Sequence, residues 1–378
     1  QTMSVAVGDL LTGIQVGAVA HGGHFVARYE GQVIFVRGSD TGEVVDVRIT
    51  ETNRRFARGE TIAVHQPSSH RVTPPCPVAG RCGGCDFQHL SVERVRQLKG
   101  AVVAEQLRHL AGIEFTAEVV PVDPTPFGWR SRMRYHYNAQ GQAGLRAHRS
   151  TRVVALPEQG CLLACESLAV PPPWSPGTEL LAVAADSGTV FAPAGSHDRV
   201  RQDVGGRSFE VDLDGFWQAH VRAPEVLTAA VMEGLEPHDG EMAADLYCGV
   251  GLFAGAMADA GVSVLGIEGD RTAVELARHN VPSGSFLAGD VATLVDRLPT
   301  TLDLAVLDPP RSGAGTDVMA AVLGRSPRAV AYVACDPAAL GRDLRQAIQV
   351  GYEVAAVTAF DLFPLTHHIE CVAILKSR

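Results

Sequence analysis

Apolar and polar residues alternate in short runs up to about Val64. Residues 13–20, 24–28, 32–36 and 43–49 each read as a strand of period two, with Gly22, Gly23, Gly31, Gly38 and Gly42 marking the turns. Short strands so closely spaced predict a small closed barrel. The period changes at Ser91, a good helix N-cap. Glu93 follows in the first turn, and Val95, Leu98, Val102 and Leu107 lie along one side, predicting a helix over 91–110. Residues 117–160 look β-rich. Residues 171–200, with Pro171-Pro172-Pro173 and many small side chains, read as loop. From Gly215 onward strand-like runs alternate with helical ones, which predicts a doubly wound parallel sheet.

A chain of 378 residues implies two or three domains. The pattern divides it into a barrel at 1–66, a β-rich central domain at 67–214 and a Rossmann-like α/β domain at 215–378. A proline-bearing linker runs from Pro67 to Pro77, and helix 91–110 is a candidate to pack on the last domain. Hydrophobic content of 46% with 20% charged residues is that of a soluble globular protein. No apolar run reaches membrane-spanning length and no signal-peptide pattern opens the chain, so a cytoplasmic protein without a membrane partner is expected. A monomer is expected, and Gln1-Thr2 ahead of Met3 read as residues added before the native start.

The formal charge of −10 argues superficially against a nucleic-acid partner, but binding needs only one basic face. Between Asp123 and Glu158 there is no acid at all. That window holds Arg130, Arg132, Arg134, Arg146, Arg149 and Arg152, with His136 and His148. Arginines at 130, 132 and 134 fall on one strand face. With Trp129, Tyr135 and Tyr137 interleaved as stacking surfaces, the window predicts a polyanion-facing surface.

Residues 242–253 read as strand, glycine turn and helix. Gly249 and Gly251 let the backbone bend and a ligand approach without a Cβ in the way. The next strand ends in Glu268, 23 residues beyond Asp245, where an acid suits ribose hydroxyls. The third ends in Asp290, placed for an adenine amino group. A nicotinamide dinucleotide would want a third glycine, and position 254 is Ala. The run from Asp245 to Gly251 instead resembles the first motif of S-adenosylmethionine-dependent methyltransferases.

Asp308-Pro309-Pro310-Arg311 caps the next strand, where ligands of such sheets bind. Its prolines make a rigid wall for a flat base. The motif resembles the Asp-Pro-Pro-Tyr loop of adenine N6-methyltransferases, but those enzymes need no cysteine and carry an aromatic residue at the position of Arg311. Here a strand ends at Cys335, and Glu370 lies 35 residues on. C5 of uracil is a poor nucleophile. A thiolate adding to C6 makes C5 carbanion-like, and a base must later remove the C5 proton so that the thiolate can leave. Cys335 and Glu370 supply these two groups, and Gln218 is a plausible contact to the uracil edge or the cofactor. Cys371, next to Glu370, keeps the two-cysteine chemistry of RNA 5-methylcytidine enzymes as an alternative. Adjacent strand residues face opposite ways, however, so Cys371 is expected in packing.

Cys76, Cys82 and Cys85 form C-x5-C-x2-C, with Cys161 remote and Cys165 the runner-up for a fourth ligand. A chain this large without a secretion signal keeps its thiols reduced, so clustered cysteines suggest a metal. Zinc and iron–sulfur both accept four thiolates, and three clustered ligands plus a remote one favour iron–sulfur.

The succession Phe216-Trp217-Gln218, Asp245 to Gly251, Asp308 to Arg311, Ala334-Cys335-Asp336-Pro337 and His368-Ile369-Glu370 resembles the bacterial RNA 5-methyluridine methyltransferase family. The first sixty-odd residues resemble its TRAM domain, an RNA-binding OB-like barrel, and the cysteine cluster matches too. The resemblance implies an S-adenosylmethionine-dependent enzyme with Cys335 as nucleophile and Glu370 as base. It puts Gln218, Tyr247, Gly249, Gly251, Glu268, Asp290 and Asp308 at cofactor or substrate positions, and a [4Fe–4S] cluster on Cys76, Cys82, Cys85 and Cys161. Barrel plus cluster is closer to the ribosomal RNA branch, making 23S rRNA the expected partner and tRNA the alternative. Two positions depart from the pattern. Asp336 replaces the usual Asn, and a carboxylate beside a thiolate raises its pKa unless it points away. Leu252 stands where some members carry Asn.

Overall fold

The computed structural model describes residues 5–378, so the pair ahead of Met3 lies outside the described residues. Contacts divide the chain into two compact units, neither of them a continuous stretch. One holds the chain up to Val102 together with Gly144–Pro157 and Phe363–His368. The other holds Val103–Ala143, Glu158–Leu362 and Ile369–Arg378.

The first unit contains a closed five-stranded barrel of Leu10–Ala20, His24–Tyr29, Gln32–Arg37, Val44–Thr52 and Phe56–Gln66. Inward positions alternate along each strand, and Val16, Phe25, Ile34, Val36, Val45 and Val47 fill the interior. The fifth strand escaped the sequence pattern because Arg58, Glu60 and Thr61 dilute it and its inward residues include Ala57 and Gly59. Only glycine fits at 59, since a Cβ there would meet Val47 Cγ1 at 2.3 Å. After the barrel, Val72 N–H bonds to His89 and brackets a loop bearing Cys76, Cys82 and Cys85. The helix Val92–Ala111 begins as expected, with Arg94 N–H donating to Ser91 Oγ at 3.3 Å.

The second unit is built on an eight-stranded sheet. In sheet order its strands are Ser285–Ala288, Ser263–Glu268, Met242–Leu246, Leu304–Leu307, Ala329–Ala334, Glu370–Ser377, Tyr352–Asp361 and the short Val120–Pro121. The first five run parallel, and Glu370–Ser377 pairs antiparallel with both its neighbours. The parallel strands are apolar on both faces, as a sheet covered by helices requires. Chain order reverses between Met242–Leu246 and Leu304–Leu307, which makes the carboxyl edge there the ligand-binding position of such folds.

The loop expected over 171–200 is instead largely sheet. Glu179–Ala185 and Gly188–Pro193 form a hairpin, and Arg199–Val204 pairs with Arg207–Asp212. Leu180, Leu181, Ala182 and Val183 are buried on both faces, so their strand shows no alternation. No helix among the described residues is long and apolar enough to cross a membrane.

Candidate active site

Six strand ends line the carboxyl edge of the large sheet. In spatial order they bring Asp290, Glu268, the turn from Tyr247 to Gly251, Asp308, Cys335 and Glu370 to that edge. Cys335 follows the last residue of a parallel strand, whereas Glu370 is the first residue of an antiparallel one, so opposite chain directions deliver both to one edge. The register makes the juxtaposition specific: Ala329 pairs with Lys376, and Ala334 with Cys371. Ala334 and Cys371 are the last pair of this ladder, and the chain neighbours Cys335 and Glu370 stand just beyond it.

Electrostatics agrees with that geometry. Burial pushes the half-buried thiol of Cys335 up to about 11. The Glu370 and Asp308 carboxylates push the same way, Arg311 opposes them, and Asp336 adds a smaller upward push. Burial, and then Asp308, raise Glu370 well above the ordinary carboxylate range. Asp308 rises to about 7, by desolvation first and then by Glu268. Asp336 spends its carboxylate on the following helix, accepting the Ala339 N–H at 2.8 Å.

The glycine turn is shaped by backbone sterics. Tyr247, Gly249 and Gly251 all take positive φ, at 62°, 53° and 93°. Tyr247 pays the usual left-handed penalty of a residue with a Cβ, and its N–H is held by Ile267 O at 2.8 Å. A Cβ on Gly249 would meet no atom within 4 Å, so that face is open to a ligand. A Cβ on Gly251 would stand 3.1 Å from Val281 Cγ2. Glu268 ties the turn to the next strand, accepting Gly249 N–H at 3.0 Å and Asp270 N–H at 2.8 Å. Asp245 is wholly buried, and its Oδ2 accepts Ala254 N–H at 2.8 Å. Desolvation, with smaller pushes from Asp308 and Glu268, lifts it to about 8. Asp290 is exposed and caps a short helix through Thr293 N–H at 2.9 Å.

Gln218 is buried on a segment whose Ala219 O accepts Ser131 N–H, while Val221 N–H donates to Trp129 O. Cys371 is fully buried in the apolar cluster of the sheet, in register with Ala334 and Ala359. Cys248 is buried as well, packed so closely that a Cβ at Gly266 would meet its sulfur at 2.9 Å.

Within the basic window expected between Asp123 and Glu158, Arg146, Arg149 and Arg152 are exposed, whereas the strand Arg132–Tyr137 presents no free basic face. Arg132 donates to the carbonyls of Asp212, Leu213 and Gly215. Arg134 pairs with Glu179 and Asp214, and His136 with Glu179. Trp129, Tyr135 and Tyr137 are buried and present no stacking surface. The acids that neutralise this strand lie far along the chain, so a window free of acids did not make this strand free of them.

On the cysteine loop, Cys76 and Cys82 pack against Val78, Ala147 and Val154. Gly84 N–H donates to Cys82 Sγ at 3.4 Å, and Gln88 Nε2 to Cys85 Sγ at 3.2 Å. Such donors suit thiolate sulfur, so the donor set fits an iron–sulfur centre in its chemistry. Among the described residues, however, no group of three or more His, Cys, Asp or Glu side chains is gathered to hold a metal. Cys161 is buried and Cys165 half-buried, both in the other unit.

Two side chains not singled out by sequence also converge near the reacting edge, Tyr332 and Asp343. The signal for Asp343 was available. It sits among Leu340, Leu344 and Ala347 on the buried stripe of the helix Pro337–Gln349, an acid where the period calls for an apolar residue.

The family description "TRAM domain" matches residues 13–62, and "tRNA (Uracil-5-)-methyltransferase" matches residues 299–378. An RNA methyltransferase of Streptomyces avermitilis is 42% identical, over 96% of this chain and 97% of its own. The 23S rRNA (uracil(1939)-C(5))-methyltransferase RlmD of a Shewanella strain is 30% identical, over 94% and 93%. Among solved structures, the tRNA (uracil-54, C5)-methyltransferase of Pyrococcus abyssi, bound to S-adenosyl-L-homocysteine, superposes with a TM-score of 0.72. It does so over 96% of this chain and 99% of its own at 20% identity, a likeness of fold.

Proposed function

This chain belongs to the RNA (uracil-5)-methyltransferase family, and on that premise we propose that it methylates C5 of one uridine in 23S rRNA through a covalent adduct on Cys335. It is an S-adenosylmethionine-dependent RNA (uracil-C5) methyltransferase; the covalent chemistry and the choice of RNA are the proposed part. The observation that supports the proposal is the antiparallel pair Ala334–Cys371, which Cys335 follows and Glu370 precedes along the chain, so that both come to one sheet edge with Asp308 on the adjoining strand end.

The thiolate of Cys335 adds to C6, and the pair of electrons displaced from the C5–C6 double bond makes C5 nucleophilic. Bound S-adenosylmethionine supplies the methyl group that C5 takes. The Glu370 carboxylate then removes the C5 proton, the double bond re-forms, and the C6–S bond breaks to return the thiolate. A raised carboxylate pKa makes Glu370 a stronger base once ionised. Arg311 and the N-terminus of the helix Pro337–Gln349 favour the thiolate against the pull of burial. Asp308 is positioned for the uracil edge, with Gln218 a second contact. The open face of Gly249, the strand-end acids Glu268 and Asp290, and Tyr247 and Gly251 would hold the cofactor.

The decisive experiment incubates the protein with labelled S-adenosylmethionine and separated rRNA and tRNA, and maps the methylated uridines. Label in 23S rRNA alone supports the reading, and label in tRNA alone replaces it with the tRNA alternative. A Cys335→Ala variant that still methylates uridine sinks the covalent mechanism. The buried, sheet-packed position of Cys371 disfavours the 5-methylcytidine reading.

The same reading gives Cys76, Cys82 and Cys85 to a [4Fe–4S] cluster with a structural role, on the spacing and on the N–H···S donors. Iron and acid-labile sulfide in anaerobically purified protein test it. Protein free of both that keeps full stability and RNA affinity overturns it.

A further inference from the structure

The loop that follows Asp308 has few anchors of its own. Pro309 and Pro310 have no N–H to give, Arg311 and Ser312 are exposed, and the turn closes only through Gly313 N–H to Pro310 O at 2.8 Å. The firmest of its anchors come from the segment around Cys335. The buried Oδ2 of Asp343 accepts Ala314 N–H at 2.8 Å, Gly315 N–H at 3.3 Å and the Tyr332 hydroxyl. The Tyr332 oxygen also accepts Ala314 N–H at 3.0 Å. On the same helix the adjacent Arg342 donates to Ser312 O at 3.4 Å, and Gln346, about one turn on, donates to Thr316 Oγ1 at 3.0 Å. The approach is so close that only glycine fits at 313, where φ is +88° and a Cβ would stand 2.8 Å from Asp343 Oδ2.

Tyr332 lies three residues before Cys335 and Asp343 eight residues after it. We propose that Asp343, with Tyr332, is a positioning residue that locks the loop bearing Asp308 and Arg311 to the strand and helix on either side of Cys335. One carboxylate oxygen gathering three donors makes the loop and the Cys335 segment a single body. Asp308 and Arg311 then keep fixed places beside the sulfur. Asp343 touches neither sulfur nor base, and acts through the loop. This inference rests on the reading of Cys335 as nucleophile.

The test uses the full chain as wild type, Asp343→Ala, Asp343→Asn and Tyr332→Phe. Cys335 is alkylated with iodoacetamide across a range of pH without RNA, and the modified peptide is quantified by mass spectrometry. Glu370, Asp308, Arg311 and Asp336 act on that sulfur electrostatically, and it interacts in turn with Cys371 on the next strand. Releasing the loop withdraws Arg311 and Asp308 together, so the Asp343→Ala profile shifts along the pH axis and broadens. Turnover on 23S rRNA falls by about ten- to a hundredfold, the scale of a misplacement near 1 Å, while KM for the RNA changes less than twofold. Asp343→Asn, which keeps an acceptor for the loop N–H groups, recovers part of both. A folded Asp343→Ala protein with the wild-type alkylation profile and turnover overturns the inference. So does a loss of turnover matched by loss of folded protein, with the folded remainder alkylating as wild type. If wild-type protein alkylated at Cys335 remains fully active, the nucleophile reading fails instead, whichever way the Asp343 profile moves.

Discussion

Asp336 and Ala339 share a hydrogen bond of 2.8 Å, carboxylate to backbone N–H, and this commits the acid beside Cys335 to the helix rather than to the sulfur. Asp336 is the N-cap of Pro337–Gln349, with Pro337 in the first turn, and its charge is met by the helix N-terminus. Its residual push on the thiol is upward and comes last among the four neighbours. Asn caps as well as Asp, so Asp336→Asn is expected to leave the melting temperature within about a degree while lowering the pH at which Cys335 alkylates. Asp336→Ala also removes that push but loses the cap, at a cost of about 1 kcal/mol. Thermal melts paired with alkylation profiles separate the two effects. An Asp336→Asn profile that moves to higher pH contradicts this account.

Glu370 lends itself to a test in which stability and activity move in opposite directions. Its folded-state pKa is raised, by desolvation first and then by Asp308. The unfolded chain therefore gives up this proton at lower pH than the native protein does. Stability linked to Glu370 is fully present below the ordinary carboxylate pKa and is lost as pH rises toward the folded value. Glu370→Gln removes that loss, so the variant should melt higher than wild type at neutral pH, by a margin that shrinks on acidification. It should also speed alkylation of Cys335, since Glu370 raises that thiol. With RNA and S-adenosylmethionine it should stop at the covalent adduct, seen as a denaturation-resistant gel shift. Normal turnover without an adduct would reassign the base.

How much of this was legible in the sequence depended on whether the signal was local. The glycine turn, the strand-end acids and the Asp-Pro-Pro loop each sit at a boundary that periodicity marks, so they could be placed without coordinates. The approach of Cys335 and Glu370 to one edge could not be, because it needs the reversal of Glu370–Ser377 and its register against Ala329–Ala334. The arginine-rich strand misled for the converse reason. Glu179 and Asp214 lie 45 and 80 residues from Arg134 in sequence, and no local window contains them. The strand Glu179–Ala185 was hidden because burial on both faces erases the two-residue period on which a strand reading rests.

Arg328 holds the opposite edge of the sheet and supplies a control for these variants. Its Nε and Nη2 grip Glu241 at 2.6 and 2.8 Å, and its Nη1 and Nη2 reach Leu235 O at 3.0 Å and Glu236 O at 2.7 Å. One guanidinium thus joins the end of the helix Ala223–Leu235 to the entries of two central strands. Arg328→Ala should destabilise by about 1–3 kcal/mol, the range for hydrogen bonds to a charged group. Arg328 bonding holds Glu241 down at about 2, so its contribution is present above the ordinary carboxylate pKa and fades as pH falls toward 2. The stability gap between wild type and variant should therefore narrow on acidification, measured by urea melts at several pH values. Cys335 alkylation in the folded variant should not change.

Gly249 and Gly251 separate cofactor binding from folding. Both take positive φ, which costs a residue bearing a Cβ about 1–2 kcal/mol. At Gly251 the new methyl would also press on Val281 Cγ2 at 3.1 Å, inside a buried turn. At Gly249 it would meet no protein atom within 4 Å and would project onto the face left open for a ligand. Gly251→Ala should therefore show the larger drop in melting temperature. Gly249→Ala should remain the better folded of the two, yet lose most of the thermal shift that wild type gains from S-adenosylmethionine or S-adenosylhomocysteine, because binding to the native state alone stabilises it. A Gly249→Ala protein that keeps the full ligand-induced shift would place the cofactor elsewhere on the sheet edge and break the assignment of this turn.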